Sequence, residues 1–230
     1  MRIVTHNIDE PRNPWDAAEA LHHATIKDYP HVYTLQECKG AKRAFVRLFG
    51  DDYRVLMSDA RGASLITMIR NDIRIVNERY IPMTHDWIGP KKGLRQDPRV
   101  HNLTDINLGG EEYRIYNVHR VWMPKDQSRG LTSVADFNRP AWREEHLRIR
   151  RIFGRPGSLR RTSICVGDQN SVRYDRSGYS VYRLAQEVDA EIIETGAAVD
   201  WAFLINGTGT GKAMGRIGSD HPYCKVEVSR

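Results

Sequence analysis

The chain has 230 residues, 40% of them hydrophobic and 28% charged, which supplies enough apolar surface for a substantial core and excludes intrinsic disorder. No shift of composition marks a boundary between two units, so a single domain over 1–230 is expected. The formal net charge of +6 would suit a polyanionic partner, because clustered lysine and arginine displace counterions from a phosphate backbone, although the same excess also simply aids solubility.

The first residues alternate as a strand does, so Ile3, Thr5, Asn7 and Asp9 share one face while Val4 and Ile8 take the other. A turn bracketed by Pro11 and Pro14 then leads into a helix over 15–28, with Ala17, Ala18, Leu21 and Ile26 at helical spacing and Asp16 as its cap. HVYTLQE (31–37), 53–58, 63–70 and 73–81 read as strands, rich in Val, Ile, Leu and Tyr, with a short helix over 41–49 between the first two. Residues 82–98 lack periodicity and carry three prolines, so a long loop is expected. Strands resume over 100–108 and 112–119, joined by Gly109-Gly110 in a tight hairpin. A second irregular stretch over 122–140 precedes a charged helix over 141–153, whose core side is Trp142, Ile149 and Phe153. The remainder reads as strand 162–166, helix 181–188, strands 191–194 and 199–205, and a last strand after His221. Strands with interspersed helices indicate a mixed α/β domain. NGTGTGK (206–212) lacks the spacing of a phosphate-binding loop, and the Ser or Thr after its lysine, and is read as a hairpin turn.

The three cysteines, Cys38, Cys165 and Cys224, are odd in number and far apart, which fits buried free thiols better than a metal or redox motif. MRIVTHNIDE holds no apolar run of signal-peptide length and no segment is long enough to span a membrane, so a cytoplasmic, monomeric protein without a membrane partner is expected. His22, His23, His31, His85 and His101 show no zinc-ligand spacing. Lys91, Lys92, Arg95 and Arg99 in and just after the first irregular stretch, and Arg139, Arg143, Arg148, Arg150 and Arg151 around the charged helix, suit either a nucleic-acid backbone or a solvated surface. Trp87 suits stacking on a base as well as it suits packing.

Acids, amides and histidines at the ends of strand-like runs fall in five places: Asn7 with Asp9; Glu37; His119; Asp168 with Asn170; and Asp200 with Asp220-His221. Singly, each is explained by turn chemistry, since Asp and Asn commonly follow strands. Together, at the carboxyl ends of strands where α/β folds bind ligands, they would converge. Their order, THNID (5–9), LQE (35–37), YNVH (116–119), GDQN (167–170), VDWAFL (199–204) and SDHPYCKVEV (219–228), resembles that of the endonuclease/exonuclease/phosphatase superfamily over nearly the whole chain. The chain departs from the pattern at Gln169, where that superfamily usually has Phe, and at His6, where Trp is common.

The resemblance implies a four-layer DNase I-like sandwich, two packed mixed β-sheets flanked by helices, with the site at one end. It also implies Mg²⁺ (or Mn²⁺) held chiefly by Glu37, with Asp9 and Asp220 in support, since hard oxygen ligands suit such ions. Asn7 would bind phosphate or hold Glu37. Asp168 would orient or deprotonate water, with Asn170 beside it. His221 would contact the scissile phosphate as a hydrogen-bond donor or as general acid/base, with Asp200 fixing its tautomer; His119 matches the second histidine of the superfamily, which would instead assist the leaving oxygen, and sequence does not separate the two roles. The implied activity is phosphodiester hydrolysis, with an endonuclease acting on DNA or RNA favoured by the basic balance. The alternatives are a phosphatase or phosphodiesterase acting on a lipid, inositol or nucleotide, and a non-catalytic nucleic-acid-binding module.

Overall fold

A computed structural model describes residues 1–9, 13–60, 63–83, 87–88, 95–96, 99–120, 132–154, 161–170, 180–197 and 200–230, the side chains at 87–88, 95–96 and 132–142 excepted. Among the described residues, twelve strands form two six-stranded sheets. The first contains β1 (Arg2–Asn7), β2 (Val32–Gln36), β3 (Tyr53–Leu56), β4 (Ile66–Arg70), β13 (Thr208–Arg216) and β14 (Pro222–Ser229), in the order β13-β14-β1-β2-β4-β3. The second contains β5 (Arg74–Pro82), β8 (Val100–Leu108), β9 (Glu111–His119), β10 (Thr162–Asp168), β11 (Glu191–Ile193) and β12 (Asp200–Ile205), in the order β11-β12-β10-β9-β8-β5. Each sheet is mixed, with β1 parallel to β2 and β9 parallel to β10.

Three apolar layers hold the sandwich together. Ile3, Val32, Ile115, Ile164, Val166 and Val226 fill the space between the sheets. Val4, Leu21, Leu35, Phe45 and Phe49 pack the first sheet against α1 (Pro14–Thr25) and α2 (Lys42–Phe49), while Tyr116, Ile149, Phe153, Leu184 and Phe203 pack the second against α3 (Thr132–Phe153) and α4 (Val181–Glu187). Ile3 and Val4 therefore point to opposite layers, as the period-2 alternation requires. This is the four-layer arrangement expected.

Boundaries differ from expectation where local chemistry outweighs pattern. Asn13, not Asp16, caps α1, its side chain accepting from Trp15 N with Pro14 at the first helical position; the helix ends at Thr25 and a 3₁₀ turn (Ile26–Asp28) follows. The charged helix α3 begins at Thr132 and runs through Pro140, so that proline does not mark its start. In the first long loop, β6 (Trp87–Ile88) and β7 (Arg95–Gln96) pair with each other. Gly109 and Gly110 both take positive φ, 61° and 89°, as the tight hairpin between β8 and β9 demands. In NGTGTGK only Asn206, at φ 57°, and Gly207 make the connection that leaves β12; residues from Thr208 onward form edge strand β13, paired with β14. Its alternate glycines face the second sheet, where a Cβ on Gly209 would lie 2.6 Å from Ile193 Cδ1 and one on Gly211 2.7 Å from Ile193 Cγ2. Glycine there permits close sheet packing rather than chain reversal.

Cys38, Cys165 and Cys224 are buried and free, and burial pushes each thiol pKa well up. Among the described residues no helix is long and apolar enough to cross a membrane.

Candidate active site

The five chemistry-bearing places meet at one end of the sandwich because strand register puts them there. In the first sheet Asn7 at the end of β1 pairs with Gln36, the residue before Glu37. In the second, Asp168 at the end of β10 pairs with His119 on one side and Asp200 on the other. The segment before β14 is tied to β1 by Ser219 Oγ, which donates to Asn7 O (2.7 Å) and accepts from His221 N (3.1 Å). Asp9, Glu37 and Asn170 all adopt the left-handed backbone, with φ of 57°, 57° and 46°. Asp and Asn tolerate that region, whereas a glutamate held there is strained, and such strain concentrates where side chains must be aimed.

Asn7 bridges the two sheets. Its Nδ2 donates to Asp168 Oδ2 at 2.9 Å and to Glu37 Oε1 at 3.3 Å. His119 Nε2 faces the same two oxygens, 3.3 Å from Glu37 and 3.6 Å from Asp168. Asp168 Oδ1 accepts from Asn170 N (2.8 Å), and Asn170 Nδ2 donates to Arg120 O (2.7 Å). Beside them His221 Nδ1 lies 3.0 Å from Asp200 Oδ2, while its Nε2 is 3.6 Å from Asp220 Oδ1. Asp168 and Asp200 are almost wholly buried; Glu37 and His221 are 26% and 19% exposed, so their faces are open to a ligand.

Burial separates the two histidines electrically. Burial drives the His119 pKa well below the ordinary value, reinforced by the Arg99 guanidinium, so this ring is neutral. The hydrogen bond to Asp200 raises His221 to about 9 against the opposing effect of burial, so this ring is charged at neutral pH. Burial, followed by the charge of Asp200, raises the Asp168 carboxyl, and the Asn170 and Asn7 donors act against that rise.

No family model matches the chain, and no curated protein matches it in sequence. Solved structures do match along its length. An endonuclease/exonuclease/phosphatase protein from Bacteroides vulgatus superposes with a TM-score of 0.74 at 12% identity, over 99% of this chain and 98% of that one. The fold is that of the endonuclease/exonuclease/phosphatase proteins. A Bacteroides thetaiotaomicron mannosyl-6-phosphatase is similar at a TM-score of 0.71 and 13% identity, over 100% of both chains. TDP2 of D. rerio, in complex with a single-strand DNA product, is similar at 0.67 and 16%, over 100% of this chain and 99% of that one.

Within this endonuclease/exonuclease/phosphatase fold, Asn7, Glu37, His119, Asp168, Asn170, Asp200 and His221 stand in one connected constellation. The three expected metal ligands are less tightly drawn together: Asp9 is exposed, Asp220 is 74% exposed, and the described group whose ligand atoms lie within 4.8 Å of one another is Asp168, Asp200 and His221. Of the basic residues, Arg148 pairs with Glu144 (2.6 Å) and Arg150 with Glu187 (3.6 Å), Arg143 and Arg151 are exposed, and Lys91, Lys92 and the side chains of Arg95, Arg139, Trp87 and Trp142 lie outside the described residues. Arg99 points inward, its Nη1 2.9 Å from His119 Nδ1. Sequence reasoning missed Arg99 in this role, and missed Gln36 and Asn117, whose side chains bond each other across the sheets (2.9 Å). Polar residues at apolar strand positions, one residue before Glu37 and two before His119, were the available signal.

Proposed function

We propose that this chain is a divalent-metal-dependent phosphoesterase that hydrolyses phosphodiesters, with nucleic acid the favoured substrate. One observation carries the reading: a charged His221 on Asp200 stands beside Asp168, a carboxylate of raised pKa held between two amide donors. A hydrogen-bond donor for phosphate next to a carboxylate able to take a proton from water is what in-line attack on phosphorus requires.

The donor set fits Mg²⁺ or Mn²⁺. It is built of carboxylate and amide oxygens, and Asp200 Oδ1 is buried with no hydrogen-bond partner among the described residues. Glu37 would hold the ion with Asp9 and Asp220 in support, and the ion would neutralise the phosphate oxygens. Asp168 orients a water and accepts its proton as the water oxygen bonds to phosphorus and the opposite bond, from phosphorus to the leaving oxygen, breaks; the leaving oxygen departs as the alcohol after taking a proton from solvent. Asn170 and Asn7 keep the Asp168 carboxylate aimed, and His221 donates to a phosphoryl oxygen as negative charge builds on it. Support for nucleic acid comes from the net charge of +6 and from the likeness to TDP2 with its DNA product; the likeness to a mannosyl-6-phosphatase makes sugar monophosphates the comparison substrate.

The test is hydrolysis of supercoiled plasmid, single-stranded DNA, RNA, mannose 6-phosphate and bis(p-nitrophenyl) phosphate by wild type and His221→Ala, with Mg²⁺, Mn²⁺ or EDTA. Nucleic-acid cleavage that disappears with EDTA and with His221→Ala is expected. Turnover of the monophosphate alone moves the substrate to phosphomonoesters, and cleavage that survives EDTA refutes the metal-dependent reading.

A further inference from the structure

His119 sits two residues beyond Asn117, where the ladder between β9 and β8 ends at Asn102↔Asn117, so side chains complete its placement on that side. Two of them come from the start of β8 and from the residue just before it. His101 Nε2 lies 3.2 Å from His119 O, and Arg99 Nη1 lies 2.9 Å from His119 Nδ1. Arg99 is itself anchored, its carbonyl accepting from Met83 N at 2.7 Å. A guanidinium donates and cannot accept, so Nδ1 is the acceptor of this bond and the ring proton belongs on Nε2. That nitrogen faces Glu37 Oε1 and Asp168 Oδ2.

We propose that Arg99 is a positioning residue: it fixes His119 as an Nε2–H donor aimed at the Glu37 and Asp168 carboxylates, so that His119 orients those acids and does not exchange protons with substrate. The two histidine roles are thereby separated, with His221 left to meet the phosphate. Arg99 reaches the reaction through His119 and is not a phosphate contact in the manner of an exposed arginine on a nucleic-acid track. The activity part of this inference rests on the phosphoesterase reading; the tautomer part does not.

The experiment uses wild type, Arg99→Ala, Arg99→Lys, His119→Asn and the Arg99→Ala/His119→Asn double variant. Ring-¹⁵N spectra at neutral pH, with the His119 signals identified by their loss in His119→Asn, are expected to show a pyridine-type Nδ1 and a pyrrole-type Nε2 in wild type. On bis(p-nitrophenyl) phosphate with Mn²⁺, Arg99→Ala is expected to lower kcat by roughly ten- to a hundredfold, as loss of an outer orienting partner does, with KM within about threefold. Arg99→Lys, another pure donor, recovers most of that loss. Adding Arg99→Ala to His119→Asn lowers kcat no further, because coupled residues are non-additive. A protonated Nδ1 in wild type overturns the proposal, as does a loss that falls on KM or that multiplies fully with His119→Asn, either of which would make Arg99 a direct substrate contact. If wild type leaves the diester intact, the phosphoesterase reading is what suffers, and the nitrogen spectrum still decides Arg99.

Discussion

Gly167 tests whether strand spacing beneath the site is as tight as the geometry says. It lies in β10 just before Asp168, at φ +137°, and a Cβ there would stand 2.2 Å from Val118 O and 2.9 Å from Gln36 Nε2. Contacts below 3.0 Å are not sustained, so Gly167→Ala must move β10 away from β9 by at least about 0.8 Å. Overpacking of this kind costs ~1–3 kcal/mol and an alanine at positive φ a further ~1–3 kcal/mol, giving about 4 kcal/mol together. At roughly 2–4 °C per kcal/mol for a chain of this size, thermal unfolding followed by near-UV circular dichroism should show Tm lowered by ~8–16 °C. Because the same displacement separates Asp168 from His119, the folded fraction should lose about a hundredfold in kcat on whichever substrate is turned over. Gly215→Ala is the control, since a Cβ there meets nothing within 4 Å, and should leave Tm within about 1 °C. A Gly167→Ala protein melting within about 3 °C of wild type would refute the spacing argument.

Two pH-dependent outcomes follow from buried or paired histidines. Burial lowers His101 to about 3 in the folded chain against about 6.5 unfolded, so the unfolded state binds the extra proton between those values; stability should rise with pH from about 3 to about 6.5, by up to ~1.4 kcal/mol per unit, and His101→Gln should flatten that rise in urea unfolding at pH 5 and 7. His221 moves the other way: raised to about 9, mainly by its hydrogen bond to Asp200, it contributes stability fully present below about 6.5 and lost as pH rises through about 9. Its partial exposure screens the pair, so ~1–2 kcal/mol is expected. Asp200→Asn should narrow its stability gap to wild type between pH 6 and 9.5, and should bring the alkaline limb of activity down by more than about one unit; an unmoved limb would take the charged His221 out of the reaction.

The strand-end acids and histidines were legible in sequence because each follows an apolar run, and that signal depends only on residue type and local order. Strands β8, β9 and β10 were equally legible from their β-branched runs and the Gly109-Gly110 turn. Two errors share a cause. Glycine and proline carry positional meaning only in context: Gly209 and Gly211 serve sheet packing, which tertiary structure alone reveals, and Pro140 lies within α3. Arg99 was read as a surface charge because charge says nothing of direction, and its bond to His119 depends on how β8 meets β9. The left-handed backbone at Glu37 has no sequence signature at all, since glutamate rarely adopts it.

The buried amides explain why the site is rigid enough to use. Gln36 Nε2 donates to Asn117 Oδ1 (2.9 Å), and Asn117 Nδ2 donates back to Leu35 O, Ile66 O and Thr67 Oγ1. These groups lie buried between the sheets among further polar side chains, Thr5, Thr34 and Thr67, where unpaired polar atoms cost more than the hydrogen bonds gain, so sliding one sheet past the other would leave several of them unsatisfied at once. An apolar pair of the same volume would hold the sheets together but would permit such sliding. Gln36 is followed by Glu37, and Asn117 stands two residues before His119 on the same face. Fixing β2 against β9 therefore also fixes the 3.3 Å approach of Glu37 to His119, and Gly167, whose missing Cβ leaves room for the Gln36 amide, belongs to the same device. Register, in this reading, is what the polar layer supplies to the site.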